Sequence, residues 1–192
     1  MTLAQQAEGL AEKLRYRYNL AFHYGDCPFG PDYQEAWNHR YELFSLFDRG
    51  IKTDAVGLYS VTPEKTAMEI AREAARRAGT AAIVDAFCGI GGTAIAFAAL
   101  FEKVFTLDID AGRLEMAKHN AQLYGRNNIT FMQGNFLEQA QAFGLPAMFL
   151  DPPWGGPAAL AKETFTLADF SPEGRVLLDT AFKYFSHVIL RV

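Results

Sequence analysis

Asp85-Ala86-Phe87-Cys88-Gly89-Ile90-Gly91-Gly92 closes a short apolar run, Ala81 to Phe87, and opens an apolar stretch near Thr93–Leu100. The run reads as a strand and the stretch as a helix. Two glycines spaced by one let the backbone turn tightly and approach a ligand closely. Gly89, Gly91 and Ala94 satisfy the G-x-G-x-x-A pattern of dinucleotide loops, and a plain strand-to-helix turn would satisfy it too.

The same alternation continues on both sides. Thr62 as N-cap with Pro63 at the first helical position predicts a helix running to about Ala78, before Gly79. Downstream, Val104 to Leu107 reads as a strand, Ala111–Tyr124 as a helix closed by Gly125, and Ile129 to Met132 as a third strand. Ala147 to Leu150 is a fourth strand, a helix begins at Ser171-Pro172, and His187–Val192 is a fifth strand. Strands alternating with helices predict an α/β fold, a mostly parallel Rossmann-like sheet with helices on both faces. Such sheets bind ligands beyond the carboxyl ends of their strands, so the residues just after each strand are the candidates for chemistry.

The second strand ends in Leu107-Asp108-Ile109-Asp110. An acid about 20 residues past the glycine loop can bond ribose hydroxyls, so loop and acid together imply a nucleoside-bearing cofactor. Asp85 discriminates among such cofactors. A carboxylate opening the loop would repel a pyrophosphate, which disfavours a nicotinamide dinucleotide. It suits an ammonium group, and S-adenosylmethionine carries one and no phosphate. The third strand ends in Gln133-Gly134-Asn135; the Asn135 amide can both donate to and accept from an adenine edge, or can serve as a turn residue.

Asp151-Pro152-Pro153-Trp154 follows the fourth strand. Two prolines fix two φ angles and remove two N–H donors. The Asp151 side chain and the Pro152 carbonyl remain as a rigid run of acceptors, suited to an exocyclic amino group with two hydrogens to donate. Trp154 can stack on a base, and a cationic base would add cation–π attraction. The bland alternative is a turn. Gly155-Gly156-Pro157 reads as a loop that permits close approach to a ligand.

The residues before the sheet region read as an N-terminal helical extension, residues 1–50, ahead of a cofactor-binding domain, residues 51–192. A helix is expected over residues 3–22 and a second from Asp32 to Asp48. In the second, Trp37, Tyr41, Phe44 and Phe47 recur at helical spacing, a core-packing stripe from which Phe44 could also line a ligand pocket. Half of the 192 residues are hydrophobic and the formal net charge is −4, so no overall basic charge points to nucleic acid. Arg40, Arg72, Arg76, Lys13 and Arg17 read as solvated helix faces. Two isolated cysteines and four scattered histidines show no zinc spacing, and no metal is expected. The N-terminus lacks a long apolar run, so the expectation is an intracellular protein, cytoplasmic or nuclear, neither secreted nor membrane-bound.

Phe44-Ser45 through Asp48, Gly57, Ser60-Val61-Thr62-Pro63-Glu64-Lys65, the Val84 to Gly92 run, Asp108-Ile109-Asp110 and Pro152 to Pro157 together resemble the trimethylguanosine synthases. The resemblance covers roughly residues 35 to 192. It implies a class I S-adenosylmethionine-dependent methyltransferase acting on guanine N2 of the 7-methylguanosine cap of RNA. It further implies that Asp85, Cys88, Gly89, Asp108 and Thr62 line the cofactor site, with Gly91 in the same loop. Trp154 would stack on the methylated guanine, Asp151 and Pro152 would hold its amino group, and Phe44, Gly155 and Gly156 would belong to the substrate pocket.

The chain departs from that family's pattern in several places. Those synthases have Ser at the position of Asp151, an aromatic residue where Ala158 and Ala159 stand, and an acid where Val56 stands. The chain also stops at Val192, ahead of two further strands usual in the fold, so the domain is expected to be C-terminally truncated. Two rival readings follow: a methyltransferase for an exocyclic amine of an uncapped RNA or DNA base, and a non-catalytic cap-binding module.

Overall fold

The computed structural model describes residues 25–154, 164 and 166–191. The expected helix over residues 3–22, with Lys13 and Arg17, lies outside them, as do Gly155, Gly156, Pro157, Ala158 and Ala159.

The described strands are β1 (Ala82–Asp85), β2 (Lys103–Asp108), β3 (Ile129–Gln133), β4 (Ala147–Leu150) and β5 (His187–Leu190). They form one parallel sheet in the order β3-β2-β1-β4-β5. Parallel strands buried on both faces carry continuous apolar runs, and successive side chains feed opposite layers. Ile83 and Phe149 enter one core with Ala67, Ala71, Ala74, Phe97 and Val104. Val84, Met148 and Leu150 enter the other with Leu107, Phe136, Leu177 and Phe185. The chain leaves β1 toward β2 and β3, then returns to β1's other side with β4. The strand order therefore reverses between β1 and β4, which in such sheets marks the binding crevice at the carboxyl ends, where Asp85 and Asp151 stand.

The helices are α1 (Gln34–Asn38), α2 (Arg40–Leu43), α3 (Ala55–Ser60), α4 (Glu64–Ala78), α5 (Gly92–Phe97), α6 (Ala111–Leu123), α7 (Phe136–Gln139) and α8 (Gly174–Tyr184). Ala67, Ala71 and Ala74 make a buried small-residue stripe on α4, which lets it approach α5 and the sheet closely. Asp110 caps α6, accepting from the Gly112 and Arg113 amides as an N-cap carboxylate should. None of the described helices is long and apolar enough to cross a membrane.

Several expectations need correction. The single helix from Asp32 to Asp48 is instead a 3-10 turn at Pro31–Tyr33, α1, α2 and a 3-10 turn at Phe47–Arg49. Phe44 adopts an extended backbone (φ −142°, ψ 115°) that ends α2. Tertiary packing of the aromatics overrides helical continuity. Trp37 meets Phe47 edge-on at 5.6 Å, and the Arg40 guanidinium lies 4.6 Å from the centroids of both Trp37 and Tyr41. Arg40 is accordingly buried rather than a solvated face, its Nη1 donating to the Trp37 carbonyl at 2.8 Å. The stretch before Ser60 contains α3, whose N-cap Asp54 accepts from the Gly57 amide at 2.5 Å and pairs with Arg113 at 3.2 Å. Thr62 does not cap α4; the N-cap is Pro63, and the Thr62 hydroxyl is used elsewhere. α8 starts at Gly174 rather than at Ser171-Pro172, where the peptide bond is cis.

Candidate active site

Asp85 ends β1 with no exposed surface. Its Oδ2 accepts from the Thr93 hydroxyl at 2.7 Å, while its Oδ1 is buried without a hydrogen-bond partner among the described residues. Burial pushes the carboxyl up to about 7; the Thr93 hydroxyl and, more weakly, the Phe87 backbone amide pull it down, and the charges of Asp151 and Asp108 push it up. A buried carboxylate oxygen without a donor is costly, and a cationic N–H donor would relieve that cost.

Asp108 is oriented by the backbone. The Gly89 amide donates to its Oδ2 at 2.8 Å and the Asp110 amide to its Oδ1 at 2.9 Å. Each oxygen keeps a second lone pair for a hydroxyl. The loop's two glycines have separate jobs. Gly91 has φ +94°, and a Cβ there would lie 3.0 Å from the Ala117 Cβ and 3.1 Å from its Cα, so α6 packs directly onto it. Gly89 has φ +51°, and a Cβ there would meet open space. Gly91→Ala is therefore expected to cost about 2–4 kcal/mol of stability in urea unfolding, from a left-handed backbone and a clash with α6. Gly89→Ala is expected to cost about 1–2 kcal/mol, from the left-handed backbone alone. Equal losses for the two variants would contradict this division.

Cys88 is buried, with its Sγ 3.6 Å from the Gly89 carbonyl oxygen. Burial pushes its thiol well above the ordinary range, so it packs as a neutral group and offers no nucleophile. The Asn135 side-chain oxygen caps α7 by accepting from the Leu137 amide at 3.0 Å. Its amide nitrogen is directed toward Glu138 at 3.5 Å.

Across the crevice, Asp151 Oδ2 accepts from Arg191 Nη1 at 2.8 Å and from the Thr62 hydroxyl at 3.3 Å. Arg191 Nη1 also donates to Thr62 Oγ1 at 2.8 Å. The other carboxylate oxygen, Oδ1, and the Pro152 carbonyl receive no hydrogen bond from the described residues. The Ser171 amide donates to the Pro153 carbonyl at 3.2 Å, anchoring the proline pair. Trp154 packs edge-on against Phe170 at 5.8 Å, and the Arg191 guanidinium carbon lies 5.7 Å from the Trp154 ring centroid.

Asp85, Asp108, Asp151 and Trp154 thus follow strands β1, β2 and β4, whose carboxyl ends share one side of the sheet. The family profile described as RNA cap guanine-N2 methyltransferase matches residues 80–192. The chain belongs to this family. A trimethylguanosine synthase from Schizosaccharomyces pombe is 40% identical over 154 residues, which is 76% of this chain and 64% of that protein. One from Saccharomyces cerevisiae is 32% identical over 140 residues, 68% of this chain and 44% of that protein. The chain therefore spans less than two thirds of either relative. A solved S-adenosylmethionine-dependent methyltransferase from Agrobacterium tumefaciens has the same fold at a TM-score of 0.52 and 22% identity, covering 68% of this chain and 45% of that one.

In this member of the cap guanine-N2 methyltransferase family, Phe44 lines a cavity with Leu43, Glu64, Met68, Gly92 and Tyr124. Phe44 is 2% exposed and packs among Leu43, Leu58, Ile90 and Ile95, tilted against Tyr124 at 6.3 Å. Thr62 joins the crevice through Asp151 and Arg191.

Two residues of the site escaped the sequence reading. Thr93 is the polar side chain in an otherwise apolar helix, which is the signal that could have found it. Arg191 stands just after β5, at a strand end like those of Asp85, Asp108 and Asp151.

Proposed function

We propose that this chain transfers a methyl group from S-adenosylmethionine to the exocyclic N2 amine of guanine, in the 7-methylguanosine cap of an RNA. The observation that carries this reading is the pairing, at the reversal of the sheet, of a buried carboxylate lacking one partner with a rigid run of acceptors next to an aromatic face. Residues 1–50 act in it as an extension of the methyltransferase domain.

The residues present fit the cofactor. Asp85 Oδ1 would accept from its ammonium, the free lone pairs of Asp108 would take ribose hydroxyls, and the Asn135 amide nitrogen, with one hydrogen directed at Glu138, would have its second for the adenine edge. Gly89 leaves the space that this nucleoside needs, Gly91 sets the turn, and Thr62 and Cys88 close the wall. Bound S-adenosylmethionine supplies an electrophilic methyl group on a sulfonium. The protein's own part is positioning. Trp154 stacks on the base, while Asp151 Oδ1 and the Pro152 carbonyl each accept one amino hydrogen. The nitrogen lone pair then points along the line of displacement. Asp151 Oδ1 would take the amine proton as the nitrogen gains the methyl group and the carbon–sulfur bond breaks. In this reading Gly155, Gly156 and Phe44 are the remaining residues assigned to the acceptor.

The test is calorimetric titration with S-adenosylhomocysteine, followed by 7-methyl-GTP and GTP, and then transfer of labelled methyl to both nucleotides. Binding and transfer that need the N7 methyl support the cap. A carboxylate at position 151 favours a second acceptor, the exocyclic amine of an uncapped RNA or DNA base. Equal transfer to unmethylated guanosine would select that reading. Binding of 7-methyl-GTP without any turnover would select a cap-binding module.

A further inference from the structure

Arg191 follows β5 and is held there by its own amide, which donates to the Leu150 carbonyl at 3.0 Å in the register that pairs Leu150 with Leu190. Its side chain returns across the end of β4. Nη1 reaches Asp151 Oδ2 at 2.8 Å, Thr62 Oγ1 at 2.8 Å and the Ser60 carbonyl at 3.5 Å. The guanidinium also overlies the Trp154 ring at 5.7 Å. The pair is sheltered, with the Arg191 side chain 30% exposed and that of Asp151 14%.

A lone aspartate carboxylate rotates broadly about its last torsion. One oxygen tied by a cation and a hydroxyl removes that freedom and sets the direction of the other. Here the tied oxygen is Oδ2, and Oδ1 is left to the crevice. The same guanidinium covers part of one Trp154 face, while Phe170 braces the ring by its edge, so ring and carboxylate are referred to one rigid point on β5.

We propose that Arg191 is a positioning residue for methyl transfer, holding the Asp151 carboxylate and the Trp154 ring in the mutual geometry that aims the acceptor amine. The proposal rests on the acceptor site described under Proposed function. Arg191 touches no reacting atom, and its effect passes chiefly through Asp151, to which it donates directly. A misaligned acceptor costs turnover rather than cofactor affinity, and displacements near 1 Å can cost about 100-fold in rate.

The experiment uses the full chain with Arg191→Ala, Arg191→Lys, Asp151→Asn and the Ala/Asn double variant. Each is titrated with S-adenosylhomocysteine and assayed in single turnover, with enzyme in excess over the acceptor. Arg191→Ala is expected to lower the transfer rate roughly 10- to 100-fold with cofactor-product affinity within about twofold of wild type. Arg191→Lys, which keeps a donor and a charge, should recover most of that loss. In the Asp151→Asn background, the Arg191→Ala change should have little further effect.

An unchanged rate with only a higher acceptor KM would overturn the proposal, since Arg191 would then merely bind acceptor. The same loss in both backgrounds would overturn it too. If Arg191→Ala loses cofactor-product affinity, failure of Arg191→Lys to restore the rate while binding normally decides against the proposal. A wild-type protein that binds S-adenosylhomocysteine yet methylates no nucleobase would instead remove the functional reading, and this proposal with it.

Discussion

Asp85→Asn is expected to weaken S-adenosylhomocysteine binding roughly 30- to 150-fold, about 2–3 kcal/mol, the typical worth of a hydrogen bond to a charged group. Asn keeps an oxygen for the Thr93 hydroxyl, so the change removes charge with little change of shape. It acts on the buried Oδ1, which has no hydrogen-bond partner among the described residues and which the proposed function assigns to the ligand's ammonium. The pH dependence separates this account from a packing effect. Burial holds the Asp85 carboxyl up to about 7, so the unliganded protein keeps that proton in weakly acidic solution. The ammonium needs the ionised form. Affinity should therefore rise about tenfold per pH unit up to about pH 7 and then level, with one proton released per ligand bound below that point. The Asn variant should show no such slope.

Stability should move the opposite way. The folded-state pKa lies above the ordinary carboxylate value of 3.8, so between about 4 and 7 the folded chain binds a proton that the unfolded chain does not. This group's contribution falls as pH rises through that window and stays lower above it. The melting temperature of Asp85→Asn relative to wild type should thus increase from about pH 5 to about pH 8, even as ligand affinity is lost. A wild-type affinity that is flat across neutral pH would show that the ammonium does not sit on Asp85.

Trp154→Ala is expected to weaken binding of 7-methyl-GTP to the S-adenosylhomocysteine complex by about 1–3 kcal/mol, roughly 5- to 150-fold, while sparing the cofactor product. The ring is braced by Phe170 at 5.8 Å and an interplanar angle of 78°, so it offers a pre-set face rather than a mobile one. If the base is the cationic 7-methylguanine, part of the loss is cation–π attraction, and the preference over GTP should shrink in the Ala variant. Trp154→Phe, with a smaller ring, should fall between. Asp108→Ala should do the reverse, weakening S-adenosylhomocysteine while leaving the affinity of the remaining complex for the nucleotide. Two variants that damage both ligands alike would mean that the two sites are not separate.

The local parts of this molecule were legible before any coordinates. Ala147 to Leu150 is a strand to the residue, and β1, β2 and β3 differ from expectation only at their ends. Short apolar runs and glycine breakers report backbone preferences that span only a few neighbours. The same locality explains the misplaced helix over Asp32 to Asp48. Its spacing was helical, but Arg40 and the rings of Trp37, Tyr41 and Phe47 gain more by packing together than by continuing one helix. Asn135 was legible only as two alternatives, because a side-chain amide suits an adenine edge and a helix cap equally; its oxygen caps α7.

By itself, then, the sequence determined the alternation of strand and helix, the glycine turn, and the acids and aromatic that stand after strands. Only the tertiary structure decided which of these meet. The reversal of strand order sets β4 beside β1 and brings Asp151 to Asp85, whose burial leaves one oxygen without a partner. The register of β4 with β5 delivers Arg191 to Asp151, and Thr62 joins them although 129 residues separate it from Arg191. Such pairings depend on which strands are neighbours and in what register, a choice made by the burial of whole sheet faces and not by any stretch of chain read alone.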